Sequence, residues 1–282
     1  MKEGNQEINI PKVSIIIACY NDLFVEKAVE MAYKQDYKNK EIILVNDGSN
    51  KETTSLIERL MEHTDTILSQ QNSGQSVARN NGIKQSSGEY ILNWDSDDYF
   101  EPSFCSRAVE LMEGNIDIKI VTCYSRRFNE NGTIDIFKPQ GGSLENFLFS
   151  NSAMGSAMFR KTDWLKCGGY DENREIWGFE DWEFYLRILL NGGYAKVLKD
   201  VLFHYRLRTN STTSQIKHIK AEKFRYIILK HPELYRNHFK ELIDHLFKRL
   251  EHSDYEKKKR EDSLDYRIGN FLLAPFRKMK KN

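Results

Sequence analysis

The chain has 282 residues, 40% of them hydrophobic, enough for one substantial α/β core with a small appendage and too apolar for a largely disordered chain. Its 42 Lys and Arg offset 41 Asp and Glu to a net charge of +1, which argues against a nucleic-acid binder with a broad basic face. Four widely spaced cysteines, Cys19, Cys105, Cys123 and Cys167, make no C-x-x-C pair and follow no secretory signal, so a reducing cytoplasm is expected rather than a disulfide framework or a zinc site.

The longest purely apolar run, Ile15 to Tyr20, is far shorter than the roughly 20 residues that cross a bilayer. With Val13 and Ser14 it reads as a buried strand, bounded by Pro11 and by Asn21-Asp22. Helical spacing follows over Val25 to Gln35, and Glu41 to Asn46 gives a second buried strand that ends at Asp47-Gly48-Ser49. Strand, helix, strand in that order implies a parallel pair. The pattern recurs with a helix over Glu52 to Met61, a strand near Thr66 to Ser69, a helix over Ser76 to Gln85 and a strand over Tyr90 to Trp94. The expected fold class is therefore α/β, a Rossmann-like, mainly parallel sheet flanked by helices. Ligands of such sheets sit beyond the carboxyl ends of the strands, which here are Tyr20-Asn21, Asp47 to Ser49, Gln70 to Gly74 and Asp95 to Asp98.

After Pro102 the order is less regular: a helix to Met112, a strand over Ile118 to Ser125, a turn at Gly141-Gly142 and a helix from Glu180 through Asn191. Beyond Thr213 charged helices are expected, then the apolar run from Phe271 to Phe276 and a basic end. From Ile216 onward there are eighteen Lys and Arg against ten Asp and Glu, an excess of eight positive charges that leaves the preceding body at −7. This divides the chain into a body over 1–213, with a first half over about 12–100 and a second over 101–213, and a basic helical extension over 214–282.

Asp95-Ser96-Asp97-Asp98 puts three carboxylates directly after a buried strand, where a hard divalent cation and the phosphates it carries can be held. The competing reading is a solvated turn in which Asp98 caps the helix near Pro102. Glu180-Asp181 open a helix, where acidic residues are favoured by the helix dipole, or they supply a carboxylate that takes a proton from an attacking hydroxyl. His204, at a strand end, is structural or a metal ligand whose partner oxygens come from the acidic cluster. Asp47 accepts hydrogen bonds from a ligand base or caps the helix after Ser49; Arg79 pairs with phosphate or the acidic cluster, or lies on the surface.

The ordered set Val13 to Asn21, Val45 to Ser49, Asn72 to Asn80, Gly88 to Ile91, Asp95 to Asp98 and Gly178 to Asp181 resembles the successive signatures of family 2 glycosyltransferases, over about residues 12 to 213. The resemblance implies a GT-A fold, a non-processive bacterial type of enzyme, and inverting, metal-dependent transfer of a sugar from a nucleotide diphosphate donor, with UDP favoured by family habit. It implies that Tyr20 and Asp47 help hold the base and that Asp95 lies by the ribose and metal, with Ala18, Asn21, Asn72, Gly74, Arg79 and Ser96 completing the donor pocket. Asp97 becomes the principal ligand of a Mn2+ or Mg2+ ion, with Asp95 and His204 beside it, and Asp181 the catalytic base with Glu180 as neighbour. One departure is Ala18-Cys19, where a Pro-Thr pair is common in the family.

Three other functions fit the residues less well. A sugar-nucleotide nucleotidyltransferase should show a Gly-rich basic loop after the first strand, and Ala18 to Asn21 shows none. A processive synthase should show a Gln-x-x-Arg-Trp motif, and no Arg-Trp pair occurs. A non-catalytic sugar-nucleotide-binding scaffold of a polysaccharide assembly complex has no need of Asp97, Asp181 and His204. Trp177 and Trp182, flanking the Glu-Asp pair, either stack on an acceptor sugar or pack in the core. For the tail two readings stand: a helical extension packed on the catalytic body, with a homodimer as one outcome, or an Ile268 to Lys281 segment lying on an anionic membrane surface at the cytoplasmic face and meeting a glycan or lipid-linked glycan acceptor.

Overall fold

Residues 10–208 and 218–279 are described in the computed structural model, apart from the side chains of 271 and 274–279. Two compact units result, Met1–Ile227 and Ile228–Asn282. The boundary expected at 213 lies outside the described residues, and the division falls after Ile227. The start of α8 (Lys220–Lys230) belongs to the first unit because Phe224 is buried and stacks on Trp182, while Lys223 Nζ donates to the Glu175 carbonyl at 2.7 Å.

The first unit is organised by one mixed sheet with the order β3-β2-β1-β4-β8-β6-β9-β5, and β7 pairs with the end of β6. β1 (Val13–Cys19), β2 (Lys40–Asn46), β3 (Thr66–Ser69) and β4 (Tyr90–Asp95) are mutually parallel. All seven residues of β1 are buried, which is why it reads as an unbroken apolar run: helices cover both faces of a parallel sheet. α1 (Val25–Tyr33), α2 (Lys51–Arg59) with a 3-10 turn to His63, and α3 (Gln75–Gln85) make the crossovers. Register puts Cys19 opposite Asn46, Asn46 opposite Ser69 and Ala18 opposite Asp95, so four strands finish along one edge and deliver their polar loops together.

Beyond β4 the sheet turns mixed. β5 (Tyr99–Phe100) leads to α4 (Phe104–Gly114), β6 (Ile118–Asn129) and β7 (Gly132–Phe137), then α5 (Leu144–Phe147), β8 (Met158–Arg160), α6 (Lys161–Cys167), α7 (Glu180–Leu189) and β9 (Tyr194–Arg206). β8 runs antiparallel between β4 and β6, while β9 runs parallel to β6 and antiparallel to β5. The three-residue β8 joins the two halves of the sheet. The core holds Trp94, Phe100, Phe104 and Phe203, with Phe100 packed against the other three rings at centroid distances of 4.2 to 5.0 Å.

The second unit contains α9 (Pro232–Asn237), α10 (Phe239–Asp262) and α11 (Leu264–Met279). Of the apolar-then-basic stretch Ile268 to Lys281, residues 268–279 fall on α11, most of them without described side chains, and 280–281 lie outside the described residues. No helix among the described residues is long and apolar enough to cross a membrane.

α3 lies close on the sheet at Gly82. A Cβ there would stand 2.6 Å from Ile16 Cγ2 and 3.0 Å from Val45 Cγ2, both on stiff β-branched side chains. Alanine gains about 1 kcal/mol of helix propensity over glycine, but overpacking a filled core costs about 1–3 kcal/mol. Gly82→Ala is therefore expected to lose up to about 2 kcal/mol of stability, read as a lower urea midpoint at unchanged slope.

Candidate active site

The loops at the strand ends wall a cleft of about 770 Å³ whose lining includes Ala18, Tyr20, Asp95, Asp97, Glu180 and Asp181. Its floor is tied by Arg79. Gln75 and Arg79 lie one turn apart on α3 and converge on a single oxygen: Gln75 Nε2 and Arg79 Nη2 donate to Asp95 Oδ1 at 2.8 and 2.6 Å. The other guanidinium arm, Nη1, donates to Glu180 Oε1 at 3.3 Å, and the Arg79 guanidinium lies 5.4 Å from the centre of the Tyr170 ring. Arg79 is only 2% exposed. Burial works against its charge, and Asp95, Tyr170 and Glu180 more than restore it, so it stays cationic.

Glu180 and Asp181 open α7. Glu180 Oε2 accepts from the Gly178 main-chain N at 2.6 Å, so both of its oxygens are engaged. Asp181 Oδ1 accepts from the Trp182 N at 2.8 Å and Oδ2 from Asn151 Nδ2 at 3.0 Å. Burial first, and then the neighbouring Glu180 charge, push the Asp181 carboxyl up to about 7. The two adjacent acids have different partners: Glu180 is hydrogen-bonded to the Arg79 guanidinium, whereas Asp181 is hydrogen-bonded only by neutral amides and feels Arg79 as a weaker, opposing charge.

The acidic turn divides in a similar way. Asp98 is fully buried, its Oδ1 accepts from the Arg206 N at 2.7 Å, and burial followed by Asp97 and Asp95 raises its carboxyl well above the usual range. Asp97 lines the cleft and is lifted to about 6, chiefly by burial, with Arg208 pulling the other way and Asp95 and Asp22 adding to the rise. Among the described residues no three His, Cys, Asp or Glu side chains converge so as to cage a metal unaided. The oxygen chemistry of Asp97 and Asp95 nonetheless suits a hard divalent cation that keeps its other positions for phosphate and water.

His204 is not brought to this cluster. It pairs with Tyr99 across β9 and β5, stacks on that ring at 4.3 Å, and its Nε2 lies 2.7 Å from Glu101 Oε1. His204 is absent from the cleft lining, which takes in its neighbours Phe203, Tyr205 and Arg206. His204 is thus engaged by Tyr99 and Glu101 rather than placed beside Asp95 and Asp97. Trp182 is corrected to a packing role: it is buried, its Nε1 donates to the Phe147 carbonyl at 2.5 Å, and it stacks on Phe224, so no acceptor sugar reaches it. Trp177 is 39% exposed and lines a smaller adjoining pocket of about 310 Å³ with Asn72, Gly74 and Arg174; Gln75 and Glu180 are common to both spaces.

Asp47, Asn21 and Ser96 shape the loops at the strand ends. Asp47 Oδ1 accepts from Gln70 Nε2 at 2.7 Å and from the Ser73 N at 2.9 Å, and Oδ2 from the Gly74 N at 2.9 Å, which pins the 70–74 loop. Asn21 has φ 50° and accepts from the Asn50 N at 2.7 Å, joining the first two loops. Ser96 Oγ donates to Asp22 Oδ2 at 2.9 Å. Sequence reasoning did not single out Gln75, Asn151, Asp22, Arg206 or Arg208. Gln75, at i−4 from Arg79, was open to discovery by helical spacing; the others meet the site only through long-range folding.

The profile described as glycosyl transferase family 2 matches residues 14–162, and that of the N-terminal domain of galactosyltransferase matches 147–227. The chain belongs to glycosyl transferase family 2, and its architecture is the GT-A fold. It is 27% identical over 218 residues to the putative glycosyltransferase EpsH of Bacillus subtilis, an alignment covering 71% of this chain and 62% of EpsH. Its structure resembles S. aureus TarS in complex with UDP-GlcNAc, with TM-score 0.61, 21% identity and coverage of 72% of this chain and 60% of that one. It also resembles the mannosyltransferase PcManGT from Pyrobaculum calidifontis in complex with GDP-Man and Mn2+, with TM-score 0.58, 15% identity and coverage of 94% and 84%. The chain thus spans about three fifths of EpsH and of that TarS chain.

Removal of Arg79 leaves Asp95 and Glu180 facing each other across a buried gap. Arg79→Met is expected to cost about 3–5 kcal/mol in chemical denaturation, with partial recovery when Glu180→Gln is added, because breaking a buried pair from one side strands a charge.

Proposed function

We propose that the chain is an inverting, metal-dependent glycosyltransferase that moves a sugar from a UDP-sugar to an acceptor hydroxyl in the assembly of a surface polysaccharide or glycolipid. The observation that carries this is Asp181: a partly buried carboxyl, pushed up to about 7 and lining the same cleft as Asp95 and Asp97. A carboxylate of that basicity suits proton removal near neutral pH. The TarS structure holding UDP-GlcNAc supports the choice of uridine nucleotide, and the PcManGT structure holding Mn2+ supports the ion.

In this reading the base of the donor lies over the ends of β1 and β2, near Ala18, Tyr20 and the loop pinned by Asp47. Asp97 and Asp95 hold Mn2+ or Mg2+, which when bound offsets the charge that builds on the diphosphate leaving group. Arg79 fixes Asp95 and Glu180, and Glu180 in turn orients the Gly178 turn. Asp181 Oδ2, steadied by Asn151, takes the acceptor proton as its oxygen bonds to the anomeric carbon and the bond to the diphosphate breaks. Attack from the opposite face inverts the anomeric centre, and a single carboxylate suffices. The acceptor is a glycan or a lipid-linked glycan met at the cytoplasmic face of the membrane, with Trp177 beside it.

The test is release of nucleoside diphosphate from a panel of sugar nucleotides with Mn2+, Mg2+ or EDTA. Wild type should release UDP only with the cation, Asp97→Ala should abolish release, and Asp181→Asn should lower transfer by about 10²- to 10⁴-fold. The wild-type rate should rise with pH through about 7 as Asp181 ionises, an acid limb missing from the residual rate of Asp181→Asn. Because the folded carboxyl binds its proton more tightly than the unfolded one, Asp181 lowers stability as pH climbs from the ordinary carboxylate range through 7, so Asp181→Asn should flatten that fall in melting temperature. Failure of the wild type to bind or turn over any sugar nucleotide would refute the reading.

A further inference from the structure

The geometry points to Arg208 as the resident counter-ion of Asp97 in the donor-free protein, released from that carboxylate when a divalent cation and the donor's diphosphate bind together. This rests on the nucleotide-sugar reading above and adds to it a cause for coupled binding.

The cationic side chains around the cleft are not equivalent. Arg79 is clamped between Asp95 and Glu180 in the floor. Arg127 is turned to Asp135, with Nε 2.6 Å from Oδ1. Arg206 lies between the rings of Phe24 and Phe128, at 3.7 and 4.6 Å, and its Nε donates to the main-chain carbonyl of Asp97 rather than to the carboxylate. Arg208 differs from all three: its Nε lies 3.0 Å from Asp97 Oδ2 and its Nη2 donates to Asp22 Oδ2 at 2.8 Å.

Two features suit this pair to exchange. The side chains of Arg208 and Asp97 remain 34% and 26% exposed, and partly exposed ion pairs contribute little net stability, so the contact is cheap to break against a doubly charged ion. The second anchor is firmer: Asp22 is buried and also accepts from Ser96 Oγ at 2.9 Å and from the Phe24 N at 3.0 Å. With Nη2 held on Asp22, Arg208 leaves Asp97 by a short swing and stays at the rim of the acidic turn. There its planar fork meets phosphate oxygens, for which a guanidinium is well matched. A cation arriving alone must displace Arg208 with no new partner for the guanidinium; a cation arriving with a diphosphate supplies that partner. Arg208 is thus a positioning residue that links the two affinities.

The experiment measures Mn2+ binding by electron paramagnetic resonance and UDP binding by calorimetry, at fixed pH, for wild type, Arg208→Gln and Arg208→Lys, with melting curves to confirm folding. Arg208→Gln should bind Mn2+ without nucleotide about tenfold more tightly than wild type, and UDP in the presence of Mn2+ about tenfold more weakly, so that UDP strengthens Mn2+ binding much less than in wild type. Arg208→Lys, which keeps the charge without the fork, should retain weak donor-free Mn2+ binding. Unchanged or weaker donor-free Mn2+ binding in folded Arg208→Gln overturns the proposal while leaving the glycosyltransferase reading intact; wild type that binds UDP under no condition overturns both.

Discussion

The Arg79 guanidinium is the contact on which the rest of the site depends. It joins Asp95, at the end of β4, to Glu180, at the start of α7, and those residues are 85 positions apart in the chain. One buried cation therefore sets the distance between the donor-side turn and the helix that carries Asp181. The sheet brings the two elements into range, since β8 pairs with β4 on one side and β6 on the other. Within that frame the final placement is electrostatic.

The same constraint sorts the acids by role. Glu180 spends both oxygens on Arg79 and the Gly178 turn and is left with a structural task. Asp181, one residue on, receives only neutral hydrogen-bond donors and stays basic enough to accept a proton. Asp98 is buried and accepts from the Arg206 backbone, whereas the Asp97 side chain is 26% exposed in the cleft. In the proposed mechanism, carboxylates of identical chemistry are divided into structural and reactive groups by which cation or amide each one meets.

The donor half was legible in the sequence because its information is local. β1 and β2 announce themselves as β-branched runs, and their polar ends are adjacent in the chain to the strands that position them. The second half was less legible. β8 has three residues and exists because β4 and β6 flank it, a non-local cause that no periodicity records. His204 is legible in sequence as a strand-end histidine, but its partners are not: pairing of β9 with β5 sets it against Tyr99, and Glu101 follows two residues on. Trp182 was drawn to the site by its neighbours in sequence, and helix geometry turns it inward to Phe147 and Phe224. Arg208 is nearly thirty residues past the Glu-Asp pair and over one hundred past the acidic turn, so only folding discloses that it meets Asp97.

The measurement that bears most directly on the account is the anomeric configuration of the transferred sugar, read from the proton coupling of the product by nuclear magnetic resonance after reaction with an α-linked sugar nucleotide. One basic carboxylate at Asp181, with its neighbour Glu180 held by Arg79, predicts a β-linked product formed by a single displacement. An α-linked product would mean that a second group in the cleft attacks the sugar first, and would contradict the roles assigned to both acids.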